Sequence, residues 1–241
     1  MPTPHQTRPP RIEIPIETGS HDATRRALLD AAADVFAQVG FRQATIRDIC
    51  HQARANVAAV NYHFGDKEAL YGEVLAEQSR LAMALHPPPP HDPKVPAERR
   101  LEEFVRSFLQ RVLSAELSAR HGRMMAREMV DPTRALDRLV TESIRPNSQQ
   151  LAAILRDLVG PTISEASLRL TGMSIVGQIL FYCHCQPVLK RLFPDTSFDS
   201  GQLEMLTQHI TRFSLAALRG PHTPDRPPRR RPSNPRRRAR K

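Results

Sequence analysis

At 241 residues, with 40% apolar and 25% charged residues, the chain has the make-up of an ordinary folded protein, long enough for one large domain or two smaller ones. Its formal net charge of +10 is unevenly spread: residues 221–241 carry nine Lys or Arg against one Asp, which leaves the preceding 220 residues at only +2. Global charge therefore does not argue for a nucleic-acid-binding body, and three cysteines in no even framework (Cys50, Cys183, Cys185) exclude a disulfide scaffold and fit a reducing cytoplasm.

In chain order, the proline-studded residues 1–20 lack the apolar run of a secretory leader and read as a flexible arm. A helix is predicted from Ser20 or Asp22, with Ala27, Leu28, Ala31, Val35, Phe36 and Val39 at helical spacing and Gly40 as a left-handed terminator. Thr45 is placed to cap a short helix, IRDICHQA, with Asp48 three residues on as in a capping box. Asn56 is placed to cap a second, VAAVNYHF, which Gly65 ends, and Asp66 to cap a longer helix reaching towards Leu85. HPPPPHDPKVP cannot be helical, because proline lacks a backbone donor and clashes with the preceding turn; a linker over 86–97 is predicted to follow a first domain over 21–85.

The second domain, 98–220, is read as helical throughout. Leu101, Phe104, Val105, Phe108, Leu109, Val112 and Leu113 form one stripe, and Leu151, Ile154, Leu155 and Leu158, closed by Gly160, form another. Thr162 with Glu165 reads as a capping box opening a helix to about Cys185. The uncharged run Leu170 to Leu189 includes Thr171, Ser174, Gln178, His184, Gln186 and Pro187, too polar a set for a bilayer, so no membrane partner is expected. Leu203, Leu206, Ile210, Phe213 and Ala217 form a narrow seam suited to a partner helix. The tail over 221–241 has almost nothing to bury and is predicted to be disordered. The fold class is all-α: a three-helix N-terminal domain and a larger helical C-terminal domain.

Two short helices joined by a tight turn after a longer one are the parts of a helix-turn-helix. There the second short helix enters the major groove, and small neutral residues on its outer face let the backbone approach the bases. Ala58 and Ala59 meet that need, and Asn56 and Asn61 carry amides able to pair with a base edge. Tyr62, His63 and Lys67 can reach phosphates, as can the helix start at Thr45, while Arg42 and Arg47 are rim candidates. Asn56 can equally serve as a cap alone, and Tyr62 as core.

The run GFRQATIRDICHQARANVAAVNYHFGDKEALYGEVL resembles the DNA-binding domain of the TetR family of transcriptional repressors, over roughly residues 22–75. The resemblance rests on Gly40-Phe41, on Thr45 with Ile49, and on Tyr62, His63, Phe64, Lys67 and Glu68. Two departures stand out: Arg54 occupies a turn position that usually holds Gly, and Asn61 stands where many members carry a phosphate-contacting Tyr. VNYHFGDKEALY, the proline-rich linker and MMAREMVDP (residues 124–132) resemble the CecR-type branch. That resemblance implies a homodimer whose interface uses the helices over 162–185 and 202–219, an unknown small-molecule effector, and a palindromic double-stranded DNA operator.

Candidate effector-contacting residues are Phe108, His121, Met124, Met125, Arg127, Glu128 and Phe181; methionines line adaptable apolar sites, and Arg127 or Glu128 could orient a ligand, although core packing and ion pairing explain the same residues. Cys183-His184-Cys185 is no metal site, because neighbours on one helix point about 100° apart. No glycine-rich phosphate loop, nucleophile elbow or metal-ligand spacing appears, so neither an enzyme nor a cofactor is expected. The leading expectation is a ligand-responsive repressor; the alternative is nonspecific nucleic-acid binding through the Arg-rich tail.

Overall fold

The computed structural model describes residues 18–113, 118–161 and 163–219, which are helical almost throughout, with no strand among them. The predicted arm up to residue 17, the Thr162 cap and the tail over 221–241 lie outside these residues. The chain divides into two compact units, residues 1–74 and 75–241.

In the first unit, α1 (Thr18–Gln43) starts a few residues before the predicted Ser20 or Asp22 and takes the end of the predicted arm. Its path turns at Gly40, whose φ of 82° is open to glycine at no steric cost. The helices α2 (Ile46–Ala53) and α3 (Val57–Phe64) occupy the predicted residues. Thr45 Oγ accepts from the Asp48 amide at 3.1 Å and donates to the Asp48 carboxylate at 2.6 Å. Asn56 Oδ1 accepts from Ala58 N–H at 2.9 Å, and Asp66 Oδ1 from Ala69 N–H at 2.7 Å, opening α4 (Lys67–Leu85). Leu28, Ala32, Phe36, Ile49, Val60 and Leu70 form the core, with Phe36 edge-on to Tyr71 at 4.9 Å.

The division between the units falls inside α4, between Val74 and Leu75, rather than at the proline run. The reason is visible in the second unit, where the end of α4 and the prolines are tied down. Asn147 Nδ2 reaches Met83 Sδ at 3.8 Å, Arg111 donates to the His86 carbonyl at 2.9 Å, and Gln150 donates to the Pro89 carbonyl.

The second unit is organised around α5 (Ala97–Leu113), which packs against α8 (Arg145–Val159), α9 (Glu165–His184) and α11 (Ser200–Arg219). Between α5 and α8 lie a π-helical turn (Ser118–Gly122), α6 (Arg123–Val130), α7 (Ala135–Leu139) and a second π-helical turn (Val140–Ile144); α10 (Gln186–Leu192) follows α9. Leu101, Phe104, Leu109, Leu155, Ile175, Ile179 and Ile210 form the core.

Two sequence expectations change here. Ser164 caps α9, accepting from Ser167 N–H at 3.1 Å, and the Glu165 carboxylate pairs with Arg156 on α8 at 2.9 Å. The predicted seam of α11 splits. Leu203 and Ile210 face the core together with Thr207, Thr211, Ser214 and Leu218, while Phe213 (60% exposed) and Ala217 face outward. The 3.6-residue period selects 203, 207, 210, 214 and 218 as one stripe, so the apolar residues of α11 serve two faces.

Candidate nucleic-acid interface

The reading surface is built from α3 outward. Val60 and Phe64, one turn apart, are buried and hold the helix against α1 and α2. That register leaves Val57, Ala58, Asn61 and Tyr62 outward, with Ala59 and His63 half-buried at the flanks. Tyr62 is 72% exposed, which places it on the outer face rather than in the core. Asn56 spends its carbonyl oxygen on the helix cap and keeps its amide N–H groups for other partners.

Between the two short helices the chain turns at Arg54, whose φ of 52° and ψ of 39° are left-handed. Ala55 N–H closes the turn on the Cys50 carbonyl at 2.9 Å. Arginine in this conformation costs on the order of 1 kcal/mol relative to glycine. Lys67 is more tied down than its sequence position implied: Nζ donates to the Ala44 carbonyl at 3.0 Å and lies over the Phe41 ring at 4.6 Å, clamping the start of α4 to the end of α1. Thr45 has its hydroxyl committed to Asp48, while Arg47 is exposed on α2.

Sequence reasoning did not single out His21, Arg25 or Val57. His21 at the start of α1 packs its ring edge-on against Tyr62 at 4.8 Å and His63 at 4.6 Å, and Arg25 covers Phe64 at 5.4 Å. Burial first, then the fields of His21 and Arg25, holds the His63 imidazole below its ordinary range. No periodic signal could have found His21, because its partners are some forty residues away.

This architecture matches two family models. Residues 28–74 match "Bacterial regulatory proteins, tetR family", and residues 97–218, slightly more than half of the chain, match "HTH-type transcriptional dual regulator CecR, C-terminal domain". The chain belongs to the TetR family, in its CecR-type branch.

The TetR-family chain is 25% identical over 217 residues to the HTH-type transcriptional dual regulator CecR of Shigella flexneri, covering 86% of this chain and 96% of that one. Over 126 residues it is 32% identical to the HTH-type transcriptional repressor Rv3405c of Mycobacterium tuberculosis, covering 52% and 56% respectively. Its fold is shared with a TetR-like transcriptional regulator from Rhodococcus sp. RHA1 at a TM-score of 0.55 and 18% identity, over 80% of this chain and 96% of that one. It is a transcriptional regulator, and its relatives are regulators rather than enzymes.

In the second unit of this CecR-type regulator the candidate effector residues differ in exposure. Met124 and Glu128 are buried, Phe108, His121 and Met125 are half-buried, and Arg127 and Phe181 are exposed. Glu128 accepts from the Thr133 amide at 2.7 Å and from its hydroxyl at 2.9 Å, so it closes the turn between α6 and α7. Near His121 and Phe108 the structure places Arg111, a residue sequence reasoning passed over. Its guanidinium is buried and lies 5.2 Å from the Phe108 ring centroid, and burial first, then the Arg111 charge, depresses the His121 pKa. Cys183 donates to the Val112 carbonyl at 3.6 Å, and burial pushes its thiol up. Among the described residues no group of three His, Cys, Asp or Glu is placed to hold a metal ion, and no helix is long and apolar enough to cross a membrane.

Proposed function

We propose that this regulator is a ligand-responsive repressor that binds a palindromic DNA operator as a homodimer in the cytoplasm. The outer face of α3 carries the reading: Val57, Ala58, Asn61 and Tyr62 are exposed, small or neutral, while the buried Val60 and Phe64 fix their direction. A neutral face of this kind can approach base edges, with phosphate contacts left to Arg47, Tyr62, His63, Lys67 and the helix starts at Thr45 and Asn56. Ala59 sits at the edge of that face and supports close approach of the backbone.

The dimer reading is supported by apolar residues left outward on two helices. Leu170, Met173 and Phe181 lie on α9 at helical spacing with the exposed Gly177 between them, and Met205 and Phe213 lie on α11. A second copy of the same surface would cover them in a two-fold arrangement, and a two-fold protein reads a two-fold operator. Repression is supported by the name of the mycobacterial relative, whereas the Shigella relative is named a dual regulator.

Fluorescence anisotropy against DNA from around the coding region, with random duplex as competitor and a salt titration, tests the reading. Selective binding to two half-sites about 34–36 Å apart, or a multiple of that, is expected. Asn61→Ala is expected to cost about 1–3 kcal/mol at specific base pairs if Asn61 reads a base. Binding that is equal on all sequences and disappears when residues 221–241 are removed would transfer the function to the tail.

A further inference from the structure

Arg111 is 6% exposed, yet its hydrogen-bond acceptors among the described residues, the His86 carbonyl at 2.9 Å and Asn147 Oδ1 at 3.4 Å, are both uncharged. The Phe108 ring lies 5.2 Å from its guanidinium. The other buried arginine of α5, Arg100, shows the usual arrangement, pairing with the Asp157 carboxylate at 2.8 Å. A buried guanidinium without a counter-charge is costly, because neutral acceptors return only part of the lost hydration.

On the π-helical turn that packs against α5, His121 Nδ1 is enclosed and has no hydrogen-bond partner among the described residues. Burial first, and then the Arg111 charge, lowers this imidazole to about 4, so it is neutral near pH 7 and able to carry its proton on either nitrogen. One cation and one unpartnered imidazole nitrogen thus share a neighbourhood that also holds the Phe108 ring, with Met83 on the far side of Asn147.

We propose that Arg111 and His121 receive the carboxylate of a small organic acid, whose apolar portion lies against Phe108. Building on the effector-responsive reading above, this assignment names the chemical class of the effector. The carboxylate supplies the counter-charge that Arg111 lacks among the described residues, through a charge-assisted pair, and accepts from His121 Nδ1–H in the appropriate tautomer. The same guanidinium holds the His86 carbonyl, the residue that follows α4, so an anion competes directly for a donor that fixes the end of that helix.

The test uses the full chain with sodium octanoate and sodium benzoate as probes and 1-octanol as the uncharged control. Calorimetry and thermal unfolding are expected to show saturable binding of at least one carboxylate and a rise in Tm, with no effect of octanol. Arg111→Met is expected to weaken carboxylate binding by about tenfold or more, and Arg111→Lys, which keeps the charge but not the planar fork, by less. The His121 ring protons, followed by NMR, are expected to titrate about one unit higher or more when octanoate saturates the protein, because the anion offsets the Arg111 field. This readout needs no variant and survives if Arg111→Met fails to fold. Equal responses to octanoate and octanol, undiminished binding in a folded Arg111→Met, an unmoved His121 titration, or failure of both carboxylates to bind would each overturn the assignment. Anisotropy on DNA separates the two readings. Selective DNA binding without carboxylate binding removes the site alone, and carboxylate binding that leaves DNA affinity unchanged removes the effector role and keeps the site.

Discussion

The two units solve the same problem, burying helices, by different means. In the first, each short helix is opened by its own cap (Thr45, Asn56) and closed by a left-handed residue (Arg54) or a glycine (Gly65) within a few residues. In the second, polar and charged groups enter the interior: Arg100, Arg111, Ser107, Thr207, Thr211 and Ser214 are buried, and π-helical turns interrupt the path between α5 and α8. The first is held by these local determinants, and its outer face on α3 is the surface proposed for DNA. Among the described residues the second keeps unsatisfied polar groups inside, on Ser79, Arg100, His121, Thr211 and Ser214, which costs stability.

The largest expected effect tests whether this division is thermodynamic. Phe36 and Phe104 are fully buried in the respective cores, and truncating either to Ala is expected to cost about 3–5 kcal/mol. Urea unfolding followed by probes in each unit should show Phe36→Ala moving the first transition and Phe104→Ala the second; a single transition shared by both variants would break the comparison.

Next comes pH. The folded state holds His121 near 4, against an ordinary value of 6.5, so below pH 6.5 the unfolded chain takes up a proton that the folded chain refuses. Stability is therefore complete above about pH 6.5 and falls progressively towards pH 4, by about 3 kcal/mol in all. His121→Gln should flatten that part of the pH profile, and a profile unchanged by the substitution would place the imidazole elsewhere than in this buried setting.

The smallest effect belongs to the platform. Arg54→Gly relieves a left-handed arginine at the turn, and the gain is partly offset by the greater freedom of glycine in the unfolded chain. A net stabilisation of roughly 0.5 kcal/mol, seen as a slightly raised denaturation midpoint, is expected with the fold of α2 and α3 unchanged. A loss of stability would mean that the Arg54 side chain contributes more than its backbone costs.

Much of the first unit was legible because its determinants are local. A cap acts two or three residues away and a glycine acts where it stands, so reading the chain in order recovers α2 and α3 to the residue. The second unit was legible in outline only. Its stripes located α5 and α8, but the pairing of Glu165 with Arg156 joins two different helices, and the two-sided use of α11 depended on which stripe α5 covered.

The sequence by itself determined the all-helical class, the family and the bounds of α2 and α3, since period, capping chemistry and turn residues act within a few positions. Only the tertiary structure decided that His21 lies against Tyr62 and His63, that Lys67 clamps Ala44, and that Arg111 is buried beside His121 with no carboxylate on it among the described residues. Those pairings join residues ten to forty positions apart, and burial, which sets their charge states, is a property of the packed chain rather than of any segment.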